Sequence, residues 1–172
     1  MKILVLIAHP NIERSNFNKT WKNELKKHDV TVHDLYETYP NGMIDIAKEQ
    51  ELLKCHDRII FQFPLYWYST PALLKQWQDD VLTYGFAYGS KGTFLQDKEF
   101  MLSISAGSLE EDYQVGGRKQ FSISEVVRPL QMMSQLCGLK FLKPFVHYGA
   151  NTANDIDLAL SSKNMIQHIF FN

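Results

Sequence analysis

The stretch Ile3-Leu4-Val5-Leu6-Ile7 is an unbroken apolar run of branched residues near the start of the chain. Such a run is typical of a strand that is buried on both faces, as in the middle of a parallel sheet. A polar loop follows the run, and then Phe17, Trp21 and Leu25 recur at helical spacing. Ser15 precedes them and suits the N-cap position of a helix. The chain therefore begins with a predicted β-α unit.

The same alternation of strand and helix patterns continues along the chain. The other predicted strands cover residues 30–35, 58–63, 100–105 and 141–148, and the other predicted helices cover residues 45–55, 71–82, 122–137 and 155–170. Repeated β-α units imply a parallel sheet with helices on both faces. Five strands favour the flavodoxin-like order 2-1-3-4-5. We therefore expect an α/β fold, a flavodoxin-like three-layer sandwich, formed by residues 1–172 as a single domain.

Two of these predicted helices have apolar residues that we expect to face inward. In the helix over residues 45–55 they are Ile46, Leu52 and Leu53. In the last helix they are Ile156, Leu160, Ile166, Ile169 and Phe170.

The composition excludes several classes of protein. The chain has 172 residues, of which 45% are hydrophobic and 22% are charged, so it is neither disordered nor fibrous. The formal net charge is -1, which leaves no basic excess for binding nucleic acid. Two cysteines, Cys55 and Cys137, make neither a disulfide framework nor a metal cluster, and we predict no metal site. We interpret both as reduced thiols of a cytoplasmic protein.

No apolar run approaches the roughly 20 residues that a membrane-spanning helix needs. The first apolar stretch ends at His9-Pro10, which is too early for a secretory signal. We therefore interpret this stretch as a strand and expect a cytoplasmic location.

The loop after the first predicted strand, AHPNIERSNFN at residues 8–18, contains polar groups at a predicted helix N-terminus. It has neither a G-x-G-x-x-G fingerprint nor a P-loop. His9, Ser15, Asn16 and Asn18 remain, and free amide groups at the helix N-terminus attract a single phosphate group. The alternative is that Ser15 only caps the helix and that His9 is a surface residue.

Two further loops follow predicted strands at the same edge of the sheet, where ligands of open α/β sheets bind. The loop PLYWYS at residues 64–69 has three consecutive aromatic residues, which either clamp a flat ring or form a subunit interface. The loop SAGSLEEDYQVGG at residues 105–117 contains Gly107, which either permits close approach of a ligand or makes a simple turn. A phosphate site and an aromatic clamp together suit FMN, or the flavin half of FAD.

Several segments in this order resemble the flavodoxin-like NAD(P)H:quinone oxidoreductases, a family that includes DT-diaphorase and the ancillary oxidoreductases of glutathione-gated potassium efflux systems. The bacterial ancillary and general-stress branch is the most similar. The most specific segment is FPLYWYSTPALLK within FQFPLYWYSTPALLKQW. The matching segments are AHP at 8–10, SNFN at 15–18, FQFPLYWYSTPALLKQW at 61–77, GFAYG at 85–89, SAGS at 105–108, RPLQ at 128–131 and CGLKFLKPF at 137–145.

This resemblance implies a homodimer with active sites at the subunit interface, and a two-step hydride transfer from NADH or NADPH through flavin to a quinone. The chain lacks the C-terminal extension of the vertebrate members, so we expect FMN rather than FAD. The implied catalytic residues are Tyr113, Trp67 and Tyr88, with Tyr88 lining the pocket of the other subunit. The implied cofactor-binding residues are His9, Ser15, Asn16, Phe17, Asn18, Pro64, Leu65, Tyr66, Trp67, Tyr68, Ser105, Ala106, Gly107, Ser108 and Tyr113.

The sequence departs from the family pattern in the third loop. Members usually have a histidine shortly after the tyrosine that matches Tyr113, and this histidine helps to stabilise the charge of reduced flavin. Residues 114–120, QVGGRKQ, contain no histidine, and Arg118 or Lys119 is our candidate for the missing positive charge. The loop also has SAGS where many members have TTGG.

Two other functions stay open at this point. One is a regulatory dimer that docks on a cation-efflux transporter at the inner face of the membrane, with flavin in a structural or sensing role. The other is a one-electron carrier like flavodoxin, against which the near-neutral charge argues.

Overall fold

The computed structural model describes residues 1–152 and 154–171, which form a parallel sheet with helices on both faces. The strands are β1 (Ile3–Ile7), β2 (Thr31–Asp34), β3 (Arg58–Pro64), β4 (Glu99–Ser105), β5 (Lys140–Phe141) and β6 (Phe145–His147). The strand order is β2-β1-β3-β4-β5, and β6 also pairs with β4, farther along that strand than β5. This order confirms the prediction from the sequence.

Seven α-helices connect and cover the strands in the described part of the chain. They are α1 (Asn16–Leu25), α2 (Leu35–Thr38), α3 (Ile46–Lys54), α4 (Ala72–Val81), α5 (Ile123–Val126), α6 (Arg128–Leu136) and α7 (Asp155–Phe171). Short 3-10 turns cover Ile12–Arg14 and Glu110–Asp112. None of these helices is both long and apolar enough to cross a membrane.

The alternating side chains of the central strands supply two separate cores. In β1, Leu4 and Leu6 join the core under α3, α4 and α6, whereas Val5 joins the core under α1 and α7. All residues of β1 and β3 are buried, as expected for central parallel strands. Phe17 and Trp21 of α1 are buried as predicted. The sheet is therefore covered on both faces, and its ligand sites must lie at its edges.

The prediction of one continuous fifth strand over residues 141–148 is wrong. Two short strands, β5 and β6, lie along the same edge of β4 and are separated by residues 142–144. Pro144 has no amide hydrogen for the ladder, and proline is confined to edge strands or breaks in strands. The interruption therefore falls where the sequence has its proline.

The predicted helix over residues 122–137 is also divided, into α5 and α6. Pro129 occupies the first turn of α6, where its missing amide costs nothing. In a continuous helix, its ring would clash with the carbonyl group of Glu125. The helix therefore ends and begins again around Val127.

Some predicted inward positions are exposed. Ile46 of α3 is exposed, and Glu49 is fully buried in the core instead. Ile156 and Leu160 of α7 are also exposed, whereas Met165 and Ile169 are buried. Leu53 of α3 and Ile169 of α7 are buried as predicted, so the prediction is wrong only for Ile46, Ile156 and Leu160.

Candidate functional site

The N-terminus of α1 lies at the carboxyl end of β1 and presents free amide groups. The Ser15 side chain caps the helix by accepting a hydrogen bond from the backbone amide of Asn18 at 3.2 Å. The amides of Asn16 and Phe17 belong to the first turn, so they have no acceptor within the helix. The helix dipole adds positive potential there. This terminus can therefore bind an anionic group such as a phosphate.

Asn18 holds this terminus against the sheet. It is fully buried, and its side-chain Nδ2 donates a hydrogen bond to Ser105 Oγ at 2.8 Å. Its backbone carbonyl oxygen accepts a hydrogen bond from Nε2 of Gln62 at 3.1 Å. No described residue donates a hydrogen bond to its Oδ1 atom. Asn18 thus positions α1 against the ends of β3 and β4, beneath the surface that a ligand would touch.

His9 lies beside the helix N-terminus and is buried. Burial lowers the pKa of its imidazole below 6.5, and the negative charge of Asp34 opposes this effect. Its Nδ1 atom accepts a hydrogen bond from the amide of Asn11 at 3.1 Å. The proton of the neutral ring is therefore on Nε2, which is available as a donor.

The loop after β3 makes a tight turn that carries two aromatic residues. Tyr66 and Ser69 exchange backbone hydrogen bonds of 3.0 and 2.9 Å across the turn. Trp67 and Tyr68, between them, have φ values of 49° and 61°, in the left-handed region that favours glycine and asparagine. Trp67 is 94% exposed. A strained turn that exposes a large aromatic residue is typical of functional sites.

The loop after β4 approaches the turn after β6 closely. A Cβ atom on Gly107 would lie 2.7 Å from Nδ2 of Asn151, so any larger residue here would have to displace the Asn151 side chain. The amide of Ala106 donates to the carbonyl group of His147, and the amide of Ala150 donates to that of Ala106. Asn151 was not among the predicted site residues. Its place after the last strand, at the carboxyl edge of the sheet, was the available signal.

Together these loops line two adjoining cavities, which we call the large cavity and the small cavity. Their volumes are about 600 and 220 Å³, and both are lined by Leu65, Gly107 and Asn151. The large cavity is also lined by His9, Asn11, Arg14, Ser15, Asn16, Phe17, Pro64, Tyr66, Ser105 and Ala150. The small cavity is also lined by Trp67, Tyr68, Ser108, Tyr113 and Lys119.

Three predicted site residues do not line these cavities. Asn18 and Ala106 are fully buried behind them. Tyr88 packs against Tyr84, with ring centroids 5.8 Å apart, in a loop outside both cavities. A role for Tyr88 at this site therefore needs a second subunit.

Tyr113 is buried at the wall of the small cavity, where its ring packs against that of Tyr148. Burial raises the pKa of its phenol above 10.0, while the charge of Lys119 and a hydrogen bond with Ser108 oppose the rise. Tyr113 is therefore protonated at neutral pH and can act as a hydrogen-bond donor. No group of three His, Cys, Asp or Glu residues within residues 1–152 and 154–171 could hold a metal ion.

A parallel sheet of order 2-1-3-4-5, with its cavities at the ends of the first, third and fourth strands, defines a flavodoxin-like protein. The chain matches the family model Flavodoxin_2, described as a flavodoxin-like fold, over residues 1–169, and it belongs to this family.

Curated relatives span nearly the whole chain. General stress protein 14 of Bacillus subtilis (strain 168) is 55% identical over 98% of this chain and 97% of its own length. A protein named uncharacterised NAD(P)H oxidoreductase YrkL, from the same organism, is 52% identical over 98% of both chains. The potassium-efflux ancillary protein KefG of Cronobacter sakazakii is 42% identical over 92% of this chain and 86% of its own length. These names confirm the resemblance that the sequence motifs indicated.

Solved structures share the fold closely. A general stress protein 14 from Treponema denticola, in complex with FMN, has a TM-score of 0.92 and 39% identity, with 96% of each chain covered. An NADPH-quinone reductase from P. pentosaceus has a TM-score of 0.90 and 32% identity, covering 100% of this chain and 99% of its own. A chain described as a thermophilic tryptophan halogenase from Streptomycin violaceusniger has a TM-score of 0.96 and 49% identity, covering 98% of this chain and 99% of its own.

Proposed function

We propose that this protein is an FMN-dependent NAD(P)H oxidoreductase that reduces a quinone or a similar flat acceptor. The observation that carries the proposal is the continuity of two sites. An anion site at the N-terminus of α1 opens into the large cavity, which adjoins a small cavity with aromatic walls. Of the relatives reported above, one is named an NAD(P)H oxidoreductase and another an NADPH-quinone reductase, whereas one is named a halogenase.

The residues present fit FMN. The large cavity, about 600 Å³, is within the usual range for small-molecule sites. Ser15 and the amides of Asn16 and Phe17 would hold the phosphate group, with His9 as a further donor. Gly107 has no side chain, and this leaves space beside the aromatic walls of the small cavity that a Cβ atom would fill. The Treponema denticola relative, whose structure contains FMN, supports FMN over FAD.

The bound FMN would supply the two-electron chemistry by which nicotinamide and quinone exchange electrons. Trp67 and Tyr68 would form walls against which a flat substrate stacks, and stacking excludes water from the reacting face. The protonated hydroxyl of Tyr113 would donate a hydrogen bond towards a region that gains negative charge. One slot would serve NADH or NADPH first and the acceptor afterwards.

We further propose that residues 1–172 form one domain and that the working unit is a homodimer in the cytoplasm. Tyr84 and Trp67 are exposed aromatic residues. Aromatic residues are enriched at protein–protein interfaces. A second subunit would bring its Tyr88 over the small cavity and complete the substrate slot.

The proposal is tested by mixing the purified protein with FMN, NADPH or NADH, and menadione. We expect FMN to bind and nicotinamide oxidation to depend on both FMN and the quinone. If the protein neither binds FMN or FAD nor oxidises either nicotinamide, the proposed function is wrong. A parallel assay without quinone separates oxygen reduction from quinone reduction.

A second candidate function is that of an ancillary subunit of a cation-efflux transporter, docked at the inner face of the membrane. The similarity to KefG over 92% of this chain favours it. Co-purification with a transporter from membranes of the native host would support this function. Flavin binding without any nicotinamide oxidation would favour it over the enzyme.

The phosphate role of Ser15 can be separated from its capping role by a matched pair of variants. Ser15→Ala and Ser122→Ala each remove the side chain that caps a helix. Each is expected to lower the free energy of unfolding by about 1 kcal/mol, measured in urea. Only Ser15→Ala is expected to weaken FMN binding, by at least about tenfold, because a charge-assisted hydrogen bond contributes about 1.5–3 kcal/mol. Equal FMN affinities in the two variants would contradict the phosphate site.

A further inference from the structure

Lys119 connects two of the loops that line the small cavity. It belongs to the loop after β4, and its Nζ atom donates a hydrogen bond of 3.3 Å to the hydroxyl group of Tyr68. The same Nζ atom lies 5.4 Å from the centroid of the Tyr68 ring, within range of a cation–π contact. The ammonium group is thus held on the aromatic wall of the cavity.

The backbone around Lys119 determines this position. A Cβ atom on Gly117 would lie 2.4 Å from the carbonyl oxygen of Glu111, so glycine allows the loop to fold back on itself. The amide of Lys119 then donates to the carbonyl oxygen of Asp112 at 2.9 Å. The side chain therefore starts from an anchored backbone and reaches the cavity.

The neighbouring Arg118 has a different environment. Its guanidinium group donates to the carboxylate of Asp112 at 3.1 Å and to the Ser108 hydroxyl at 3.3 Å, and its side chain is 70% exposed. Asp112 neutralises this charge, and Arg118 does not line the small cavity.

The charge of Lys119, in contrast, is not neutralised. In residues 1–152 and 154–171, no carboxylate lies within 4.0 Å of its Nζ atom, and its neighbours Tyr68 and Tyr113 are phenols. Lys119 is the one charged residue among the described residues that line this cavity. Its charge opposes the rise in the pKa of Tyr113 that burial causes, so its field extends to that wall.

We propose that Lys119 supplies the positive charge that stabilises reduced FMN in the small cavity, and that Arg118 does not. This inference rests on the proposed function. A dihydronicotinamide gives up a hydride, which is two electrons with one proton, and leaves as the oxidised nicotinamide. The ring that takes the hydride therefore gains one negative charge, and a fixed cation nearby favours that state. Lys119 thus raises the midpoint potential of bound FMN.

The test compares Lys119→Gln and Lys119→Arg with the matched control Arg118→Gln, all loaded with FMN. The two-electron midpoint potential is measured against reference dyes. Lys119→Gln is expected to favour the oxidised state by about tenfold, which is a fall of about 30 mV. Lys119→Arg and Arg118→Gln are expected to stay within about twofold of the parent, or about 9 mV.

Sulfite affinity is a second readout that needs no turnover. Sulfite adds its lone pair to the oxidised flavin ring and leaves a negative charge on the ring, as hydride does. Lys119→Gln is expected to bind sulfite about tenfold more weakly than the parent, with its affinity for oxidised FMN within about threefold.

Three results would overturn the inference. The first is a midpoint potential in Lys119→Gln that equals that of the parent. The second is a fall in the midpoint potential that is larger in Arg118→Gln than in Lys119→Gln. The third is that Lys119→Gln loses as much affinity for oxidised FMN as for reduced FMN. If the parent protein binds no FMN, the proposed function itself fails. If the parent binds FMN and oxidises NAD(P)H while Lys119→Gln behaves like the parent, only the role of Lys119 fails.

Discussion

Replacing Glu49 by alanine is expected to lower the free energy of unfolding by about 3–5 kcal/mol. The Glu49 carboxylate is fully buried and accepts hydrogen bonds from Tyr39 at 2.6 Å and from Trp77 at 2.8 Å. It also lies 2.8 Å from Nε2 of His33. Alanine would leave these three groups without their acceptor in the core, and each unpaired buried group costs about 1–3 kcal/mol. Urea unfolding measures the loss.

Glu51→Ala is the matched control on the same helix. The Glu51 carboxylate is exposed and pairs with Lys54 at 2.6 Å, three residues along the helix. Exposed pairs of this kind contribute about 0–1 kcal/mol, so the control should unfold close to the parent. Equal stability of Glu49→Ala and Glu51→Ala would show that the buried network does not stabilise the fold.

The contribution of Glu49 should also depend on pH. Burial acts to raise the pKa of its carboxyl group, but the hydrogen bonds from His33, Tyr39 and Trp77 outweigh burial and hold the pKa below 4.5. A carboxyl group whose pKa is lowered by folding stabilises the fold above its unfolded pKa. The stability difference between parent and Glu49→Ala should therefore shrink as the pH falls below about 4.5.

Replacing Gly107 by valine is expected to weaken FMN binding by at least about 100-fold, while the fold is retained. Gly107 lines both cavities, and a Cβ atom there would lie 2.7 Å from the Asn151 amide nitrogen. A valine side chain would fill the place where the two cavities meet or push Asn151 into it. A loss of this size corresponds to about 2.8 kcal/mol of binding free energy. Fluorescence titration with FMN measures it.

The variant Asn151→Ala distinguishes the two causes of that loss. Alone, it should bind FMN within about tenfold of the parent, because one neutral hydrogen bond contributes about 0.5–1.5 kcal/mol. Combined with Gly107→Val, it removes the side chain that valine would strike, yet binding should remain poor because valine still occupies the cavity. Parent-like FMN affinity in Gly107→Val would show that the flavin binds elsewhere.

The strand order of the sheet could be predicted because each strand is indicated by residues that are adjacent in the sequence. The apolar run at residues 3–7 and the mostly apolar stretch IIFQF at residues 59–63 identify strands buried on both faces, and the loops after them identify the ligand edge. The predicted helix over residues 122–137 and the predicted strand over residues 141–148 are each interrupted near a proline, Pro129 or Pro144. The proline positions indicate these interruptions, whereas the apolar pattern alone predicts continuous elements.

The remaining features depend on residues that meet only after folding. Glu49 was not predicted in the core because its hydrogen-bond partners lie on other segments, with Trp77 28 residues away. The turn at Trp67 and Tyr68 was predicted as a loop, but its left-handed backbone was not. The choice between Arg118 and Lys119 required the position of Asp112, which neutralises Arg118 and leaves Lys119 at the cavity.

The proposed function is tested most directly by the identity of the compound that the purified protein releases on denaturation, read from its absorbance spectrum and its mass. We expect FMN, released in stoichiometric amount after purification or after incubation with FMN. A protein that releases no flavin and takes up neither FMN nor FAD would contradict it.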